Sequence, residues 1–373
     1  AGTGALLAAL DAVQTGRAGL ALAAASDCRL GKMGGRTEQL LGDGAAAFLL
    51  GREDVAAELV ASASLNADFV DQRRPAADRF GRSWEDRWIR DLGHLQLLGQ
   101  AAQLCLQRCG AAPASISRVI IAGPDARTAA GMLKGWGLPP ERLQDNLAAQ
   151  VGDTGAAWAP MMLAASLEQA SEGERILVLG YGSGADALLF ETTGRIGQIR
   201  RGLGIAGHLA RRAPLASYEK YAVFRRLLPL DVGIRGEAMG PTAFSGLWRD
   251  RQAILALHGN RCNRCGTPHF PPQRICIHPG CGAVDEHEPY PFAHRQGAVF
   301  TYTADSLAFS YDPPAIYGLV DMDGGGRLFL DFTDCRQEEL AVGMPVSLTF
   351  RRKYLDEQGG VHGYFWKASP VVR

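Results

Sequence analysis

The sequence predicts a layered α/β domain, followed by a zinc ribbon and a small all-β barrel. Three observations carry this reading. Short apolar runs alternate with helically spaced segments over the first half, four cysteines cluster between positions 262 and 281, and about five strand-like segments then follow without a helix. Strands alternating with helices imply helices layered on a sheet, whereas strands in unbroken succession imply a sandwich or barrel. A chain of 373 residues has room for two or three such domains.

Taken in order, residues 1–16 form a small-residue helix, and "AGLALAAASD" (18–27) and "GAAAFLLG" (44–51) are continuous apolar runs that suit strands covered on both faces. "AELVASASL" (57–65) is a further strand. Between Trp84 and Cys109, the residues Trp88, Leu92, Leu95, Ala102 and Leu106 recur at helical spacing, giving one long helix an apolar face. The pattern then repeats with a strand at 118–123, helices at 127–136 and 156–170, and strands at 175–182 and 186–194. These elements make up a first domain, 1–215. Residues 216–258 are charged and helical with turn residues in the middle, and read as a connector. A ribbon spans 259–284. The last domain, 285–373, carries strands at 298–306, 315–322, 327–334, 344–352 and 361–369, separated by Gly-rich or polar turns. In the fourth of these, Val346, Leu348 and Phe350 alternate with Ser347, Thr349 and Arg351, so one face is buried. Five strands in this length fit a barrel of the OB type.

Composition narrows the partners. The chain is 47% hydrophobic and 21% charged, and its formal net charge is zero, which gives no electrostatic reason to expect nucleic acid or an anionic membrane. No run approaches the roughly 20 apolar residues of a spanning helix, and the N-terminus has no basic region leading into an apolar run. A cytoplasmic location is the expectation. Eight cysteines are too sparse for a disulfide scaffold in a chain of this length.

The sharpest motif is "RCNRCGTPHFPPQRICIHPGCGA". Cys262 and Cys265 form a C-x2-C pair, Cys276 and Cys281 a second pair with four residues between, and ten residues separate the pairs. Tetrahedral Zn²⁺ takes four ligands at about 2.3 Å, and two tight turns presenting two thiolates each supply them. Two disulfides, buried free thiols, or His278 in place of one cysteine are the alternatives. Four thiolates leave no open coordination position, so such a site is structural. In "GYGSGADALLF" (180–190), Gly180, Gly182 and Gly184 lie between two strands, either as plain turn residues or as a backbone that brings N–H groups to a ligand oxygen. A Gly-Asp-Gly turn precedes the strand in "EQLLGDGAAAFLLG" (38–51). "GDTGAAWAP" (152–160) opens a helix, with Asp153 or Thr154 placed to cap it. Cys28, Cys105, Cys109 and Cys335 lack metal spacing and read as small buried apolar groups. His94, His208 and His362 are isolated and receive no function.

The ordered set "AGTGALLAAL", "ASD", "E-x3-GDGAAAFLLG", "GDTGAA" and "GYGSGADALLF" resembles the thiolase superfamily, in particular 3-hydroxy-3-methylglutaryl-CoA synthases and β-ketoacyl-acyl-carrier-protein synthase III. From Arg261 onward the chain resembles the zinc-ribbon and OB-fold domain found beside such enzymes. The resemblance implies an N-terminally incomplete thiolase-like domain in which the nucleophilic cysteine lies just upstream of Ala1, at the start of a helix written C-x-A-G-T-x-A-L. A helix N-terminus lowers a thiol pKa. On this reading the chain is the C-terminal portion of a longer protein that pairs into a homodimer or a thiolase-type heteromer.

Two positions depart from the family pattern. A catalytic His is expected just after the strand preceding "PDAR", where this chain has Ala122 and Gly123, and an Asn is expected where it has Asp153. A carboxylate repels a developing oxyanion unless it is protonated. The implied function is therefore either an acyl-CoA-handling condensing enzyme or thiolase, or a non-catalytic acyl-CoA-binding or scaffolding subunit. In the first, Asp153 carries a proton, and Gly182, Ser183 and Gly184 contact the thioester oxygen. Acyl-CoA is the implied ligand in both.

Overall fold

A computed structural model describes residues 2–199, 202–234, 242–356 and 359–371. They fall into two units, Ala1–Pro214 and Leu215–Arg373. The first begins with helix α1 (Gly2–Gln14), followed by an antiparallel pair, β1 (Ala21–Cys28) with β2 (Asp43–Leu50). Then come β3 (Ala57–Asn66) and a short ladder of β4 (Gln72–Arg73) with β5 (Arg82–Ser83). A helical stretch starts at Asp86, is π-helical over Ile89–Leu98, and continues as α2 (Gly99–Cys109). After β6 (Arg118–Ala122) lie α3 (Ala126–Gly135), α4 (Trp158–Leu167), β7 (Arg175–Tyr181) and β8 (Gly184–Thr192).

The main sheet has the order β3-β8-β7-β6, with β6 and β7 parallel and the other pairs antiparallel. Side chains on a strand alternate between faces, and here both faces are apolar. Val119, Ile121, Leu177, Leu179, Ala187 and Leu189 pack on one side against Leu98, Ala101 and Cys105 of the long helix and Leu133 of α3. Ile120, Ile176, Val178, Leu188 and Phe190 pack on the other against Leu6 of α1 and Met162 of α4. The result is helix, sheet, helix.

Three expectations need correction. The β1–β2 pair is covered on one face. Ala23 and Phe48 join the core beneath it, whereas the directly opposed Leu22 and Leu49 are 70% and 71% exposed. A two-stranded ribbon has one face for α1 and α4, and no other described element covers its second face. Cys28 ends that ribbon and is exposed, while Cys105 is buried as expected and Cys109 and Cys335 are half-buried. The helix spanning 86–109 is continuous, but its first half buries Ile89, Gly93 and Leu98, and leaves Trp88, Leu92 and Leu95 outside. A π-helical turn is wider than 3.6 residues, so a pattern read at α spacing rotates off the buried face.

In the second unit, helices α5 (Tyr218–Phe224), α6 (Phe244–Arg249) and α7 (Arg251–Ala256) occupy the expected connector, of which residues 235–241 lie outside the described residues. A three-stranded sheet of order β10-β9-β11 follows, from β9 (His258–Cys262), β10 (Pro268–His269) and β11 (His287–Pro291). The last five strands are β12 (Gln296–Asp305), β13 (Ala315–Met322), β14 (Arg327–Phe332), β15 (Pro345–Asp356) and β16 (Val361–Pro370). They close into a barrel of order β12-β13-β14-β16-β15. The parallel contact of β14 with β16 and the contact of β12 with β15 complete the ring, and closure removes the free edges. Val299, Val320, Leu328, Leu330, Phe332, Val346 and Ala368 fill it. The alternation along β15 fades outward: Val346 is buried, Leu348 half-buried, and Phe350 is 37% exposed, stacked on Tyr364. No helix among the described residues is long and apolar enough to cross a membrane.

Candidate functional site

The N-terminus of α1 and the C-terminal ends of β6 and β7 converge. Gly2 sits so close to the turn at 155–157 that a Cβ there would lie 2.1 Å from the Ala156 carbonyl oxygen, and only glycine permits that approach. Thr3 donates from Oγ1 to Asp186 Oδ2 at 2.6 Å, crossing from α1 to β8.

Charged groups frame this end. Asp27 and Arg29 lie at and just beyond the end of β1. Arg29 Nη2 donates to Asp153 Oδ1 at 2.6 Å and to the Asp153 carbonyl at 2.9 Å, while its Nη1 donates to Gln72 Oε1 at 2.6 Å. Asp153 Oδ1 also accepts from the Gly155 amide at 2.8 Å, and Asp27 Oδ2 accepts from the Ala156 amide at 3.2 Å. Asp153 therefore caps its own turn and pairs with a cation from just beyond β1. The pair holds the 153–157 turn against the start of α1.

A second group meets at the ends of β6 and β7. Gly123 has φ +129 and carries no side chain, and a Cβ built on it would stand 3.0 Å from Tyr181 Cβ and 3.4 Å from both Cδ2 and Nε2 of His94. The imidazole of His94 enters beside Gly123 from the π-helical stretch. His94 meets the Tyr181 ring edge-on, with centroids 4.7 Å apart. Burial lowers its pKa to about 4, against a smaller opposing pull from Asp125, so it is neutral at pH 7. Gly93 permits the approach, since a Cβ there would lie 2.5 Å from Tyr181 Oη. The Tyr181 hydroxyl is buried beside Asp71. Burial, and then the nearby Asp71 charge, raise its pKa. Burial likewise raises the pKa of Asp71, which also feels Asp153.

The predicted contact residues Gly182, Ser183 and Gly184 form the turn directly after Tyr181. The Gly182 amide donates to the Gly184 carbonyl at 3.1 Å, and the Ser183 carbonyl accepts from the Ala67 amide at 3.3 Å. The structure thus gathers Asp153 and this turn at one end of the sheet and adds Arg29, Asp71, His94 and Tyr181, which the sequence reading had left without a role. A glycine inside a helical pattern, beside a histidine, was the available signal for close approach at Gly93 and His94.

The cysteines form a separate site in the second unit. The four sulfurs of Cys262, Cys265, Cys276 and Cys281 lie within 4.8 Å of one another, and His278 is not among the grouped ligands. Cys262 and Cys281 are 3.7 Å apart and Cys265 and Cys276 3.4 Å, far beyond disulfide length and close to the roughly 3.8 Å between sulfurs around tetrahedral zinc. The Gly266 amide closes the first turn on the Cys262 carbonyl at 2.9 Å, and the second is tied by Cys276 N to the Ala283 carbonyl at 2.9 Å. The donor set fits a structural Zn²⁺.

Residues 106–190 match the family described as 3-oxoacyl-[acyl-carrier-protein] synthase III C terminal, and residues 290–351 match the family described as ChsH2, C-terminal OB-fold domain. A DUF35 domain-containing scaffold protein of Methanocaldococcus jannaschii is 32% identical over 127 residues, which are 33% of this chain and 88% of that protein. A hydroxymethylglutaryl-CoA synthase of Methanopyrus kandleri is 26% identical over 231 residues, 61% of this chain and 66% of that enzyme. The chain thus spans about two thirds of that relative's length. A crystal structure of a hydroxymethylglutaryl-CoA synthase complexed with CoA superposes with a TM-score of 0.53 at 17% identity, covering 65% of this chain and 66% of that one. The chain belongs to the DUF35 domain family through its C-terminal OB-fold part, which follows a thiolase-like domain of the hydroxymethylglutaryl-CoA synthase and 3-oxoacyl-acyl-carrier-protein synthase III type.

Proposed function

We propose that the protein is an acyl-CoA-handling condensing enzyme or thiolase. The observation that carries this reading is the convergence of the α1 N-terminus, the Asp27–Arg29–Asp153 chain and a neutral imidazole at one end of the sheet. A cysteine just upstream of Ala1 would stand at that end, where helix amides favour the thiolate. Its thiolate attacks the thioester carbonyl carbon, the C–S bond to CoA breaks, and the CoA thiolate leaves with the bond's electron pair and takes up a proton. A second CoA thioester gives up its α-proton, the resulting carbanion attacks the acyl carbonyl carbon, and the C–S bond to the enzyme breaks with its electron pair returning to the cysteine sulfur; run in reverse the same sequence performs cleavage, and either way a hard step is split in two. Asp153, kept as a proton carrier in this scheme, must first exchange its bond to Arg29. Ser183 and Gly184 line the same end, with Gly182 bracing their turn.

The C-terminal unit assists acyl-CoA binding, with Zn²⁺ on Cys262, Cys265, Cys276 and Cys281 holding the ribbon together. The bare Leu22–Leu49 face of the β1–β2 ribbon suits pairing into a homodimer or with a second thiolase-like subunit. A cytoplasmic location is part of this reading.

A second reading, a non-catalytic acyl-CoA-binding or scaffolding subunit, is favoured by the likeness of the C-terminal part to a protein named as a DUF35 scaffold. Calorimetry with acetyl-CoA, followed by a search for free CoA released in single turnover, separates the two. Binding with CoA release supports the enzyme, binding without it the scaffold, and no binding removes both.

A further inference from the structure

The start of α1 and the β7–β8 hairpin meet through one side-chain bond between residues 183 positions apart in sequence. Thr3 is 4% exposed, and its hydroxyl reaches Asp186 Oδ2 at 2.6 Å, the length of a charge-assisted O–H···O⁻ bond. Asp186 lies on β8 two residues beyond Gly184 and stands directly opposite Gly180 of β7. A Cβ on Gly180 would lie 2.6 Å from Thr3 Cγ2 and 2.8 Å from Thr3 Oγ1. Gly180 is not in the left-handed region, so its backbone does not call for glycine; the seat for Thr3 does. Packing alone would be served by valine in this slot. A buried hydroxyl aimed at a carboxylate adds direction, because the bond weakens steeply when its angle is lost.

We infer that Thr3 and Asp186 are positioning residues for acyl transfer. Their bond fixes the rotation of α1 about its axis and its seat on the β7–β8 hairpin. It thereby sets where the residue preceding Ala1 stands relative to the Gly182–Ser183–Gly184 turn. Nucleophile and thioester contact come from distant segments of the chain, and the bond holds the two in register. Both residues act through α1 rather than on the reacting atoms. A misplacement of about 1 Å in such a pair can cost about 100-fold in rate. The inference rests on the acyl-CoA reading above, in which a cysteine precedes Ala1, and adds what orients that cysteine.

The test uses the natural protein, with any residues that precede Ala1, and compares two quantities for acetyl-CoA: its affinity by calorimetry and the single-turnover rate of CoA release at saturation. Thr3→Val should lower the rate about 100-fold and leave the affinity unchanged. Asp186→Ala breaks the same bond from a half-buried position, is expected to do the same, and carries the test should Thr3→Val not fold. Thr3→Ser keeps the hydroxyl and Asp186→Asn keeps an acceptor oxygen, so both should release CoA at close to the wild-type rate. A purely structural bond would lower the denaturant midpoint of Thr3→Val or Asp186→Ala and leave the rate of the folded protein as it was; that result overturns the inference and leaves the acyl-CoA reading standing. Thr3→Ser as slow as Thr3→Val also overturns it. Wild-type protein that releases no CoA overturns the enzymatic reading, and the inference with it.

Discussion

Acidifying the protein should weaken its first unit through His94, by an amount the structure sets. The folded state takes up the His94 proton only near pH 4, against an ordinary value of 6.5. Between those values the unfolded chain binds more protons, so stability is full above pH 6.5 and is lost as pH falls. At about 1.4 kcal/mol per pH unit, the loss reaches about 2 kcal/mol at pH ~5 and about 3 kcal/mol once both states are protonated. Carboxylates elsewhere add their own acid lability, so the informative quantity is the difference between wild type and His94→Gln at each pH. Amide exchange of the strands β6 and β7, read by mass spectrometry, reports opening of this unit alone. Moving from pH ~7.5 to ~5 should reduce wild-type protection about 30-fold more than that of the variant. Parallel losses in the two proteins would refute the claim that burial holds His94 neutral.

Other substitutions test neighbouring claims. Gly93→Ala places a methyl against Tyr181 Oη and should cost about 1–3 kcal/mol in denaturant unfolding, with a smaller cost in a Tyr181→Phe background; an equal cost in both backgrounds would contradict the contact. Leu179→Ala, at a fully buried position on the central strand β7, should cost about 2–5 kcal/mol by the same measurement. Cys276→Ser should lower the zinc content from about one ion per chain and expose the ribbon to protease, and atomic absorption finding full zinc in the variant would remove Cys276 from the ligand set. Light scattering of Leu22→Asp should show a shift toward monomer if the β1–β2 face pairs subunits; an unchanged mass would point to another interface.

The buried strands were legible because continuous apolar runs such as Arg118–Ala122 and Arg175–Tyr181 have no other comfortable setting than the middle of a two-sided sheet. The cysteine cluster was legible because its spacing encodes two turns. What the sequence hid was local geometry that is not periodic. The π-helical stretch rotated Leu92 and Leu95 out of the predicted apolar face, and carried His94 to Gly123 across a separation that no linear motif records. The β1–β2 ribbon reads like a fully covered strand pair because alanine tolerates either setting; only Leu22 and Leu49 reveal its bare side. Asp153 was readable as a cap, but its bond to Arg29 required the fold.

The central claim, that this protein forms and uses an acyl-enzyme, is tested most directly by weighing it. The natural protein, with any residues that precede Ala1, is incubated with acetyl-CoA, quenched in acid and measured intact by mass spectrometry, with peptide mapping of any adduct. The account predicts a gain of one acetyl group on a cysteine at the N-terminus of α1, retained in Asp153→Ala, in which turnover with a second thioester is lost. No adduct, or an adduct that maps to Cys28 or to the cysteines of the ribbon, would contradict it.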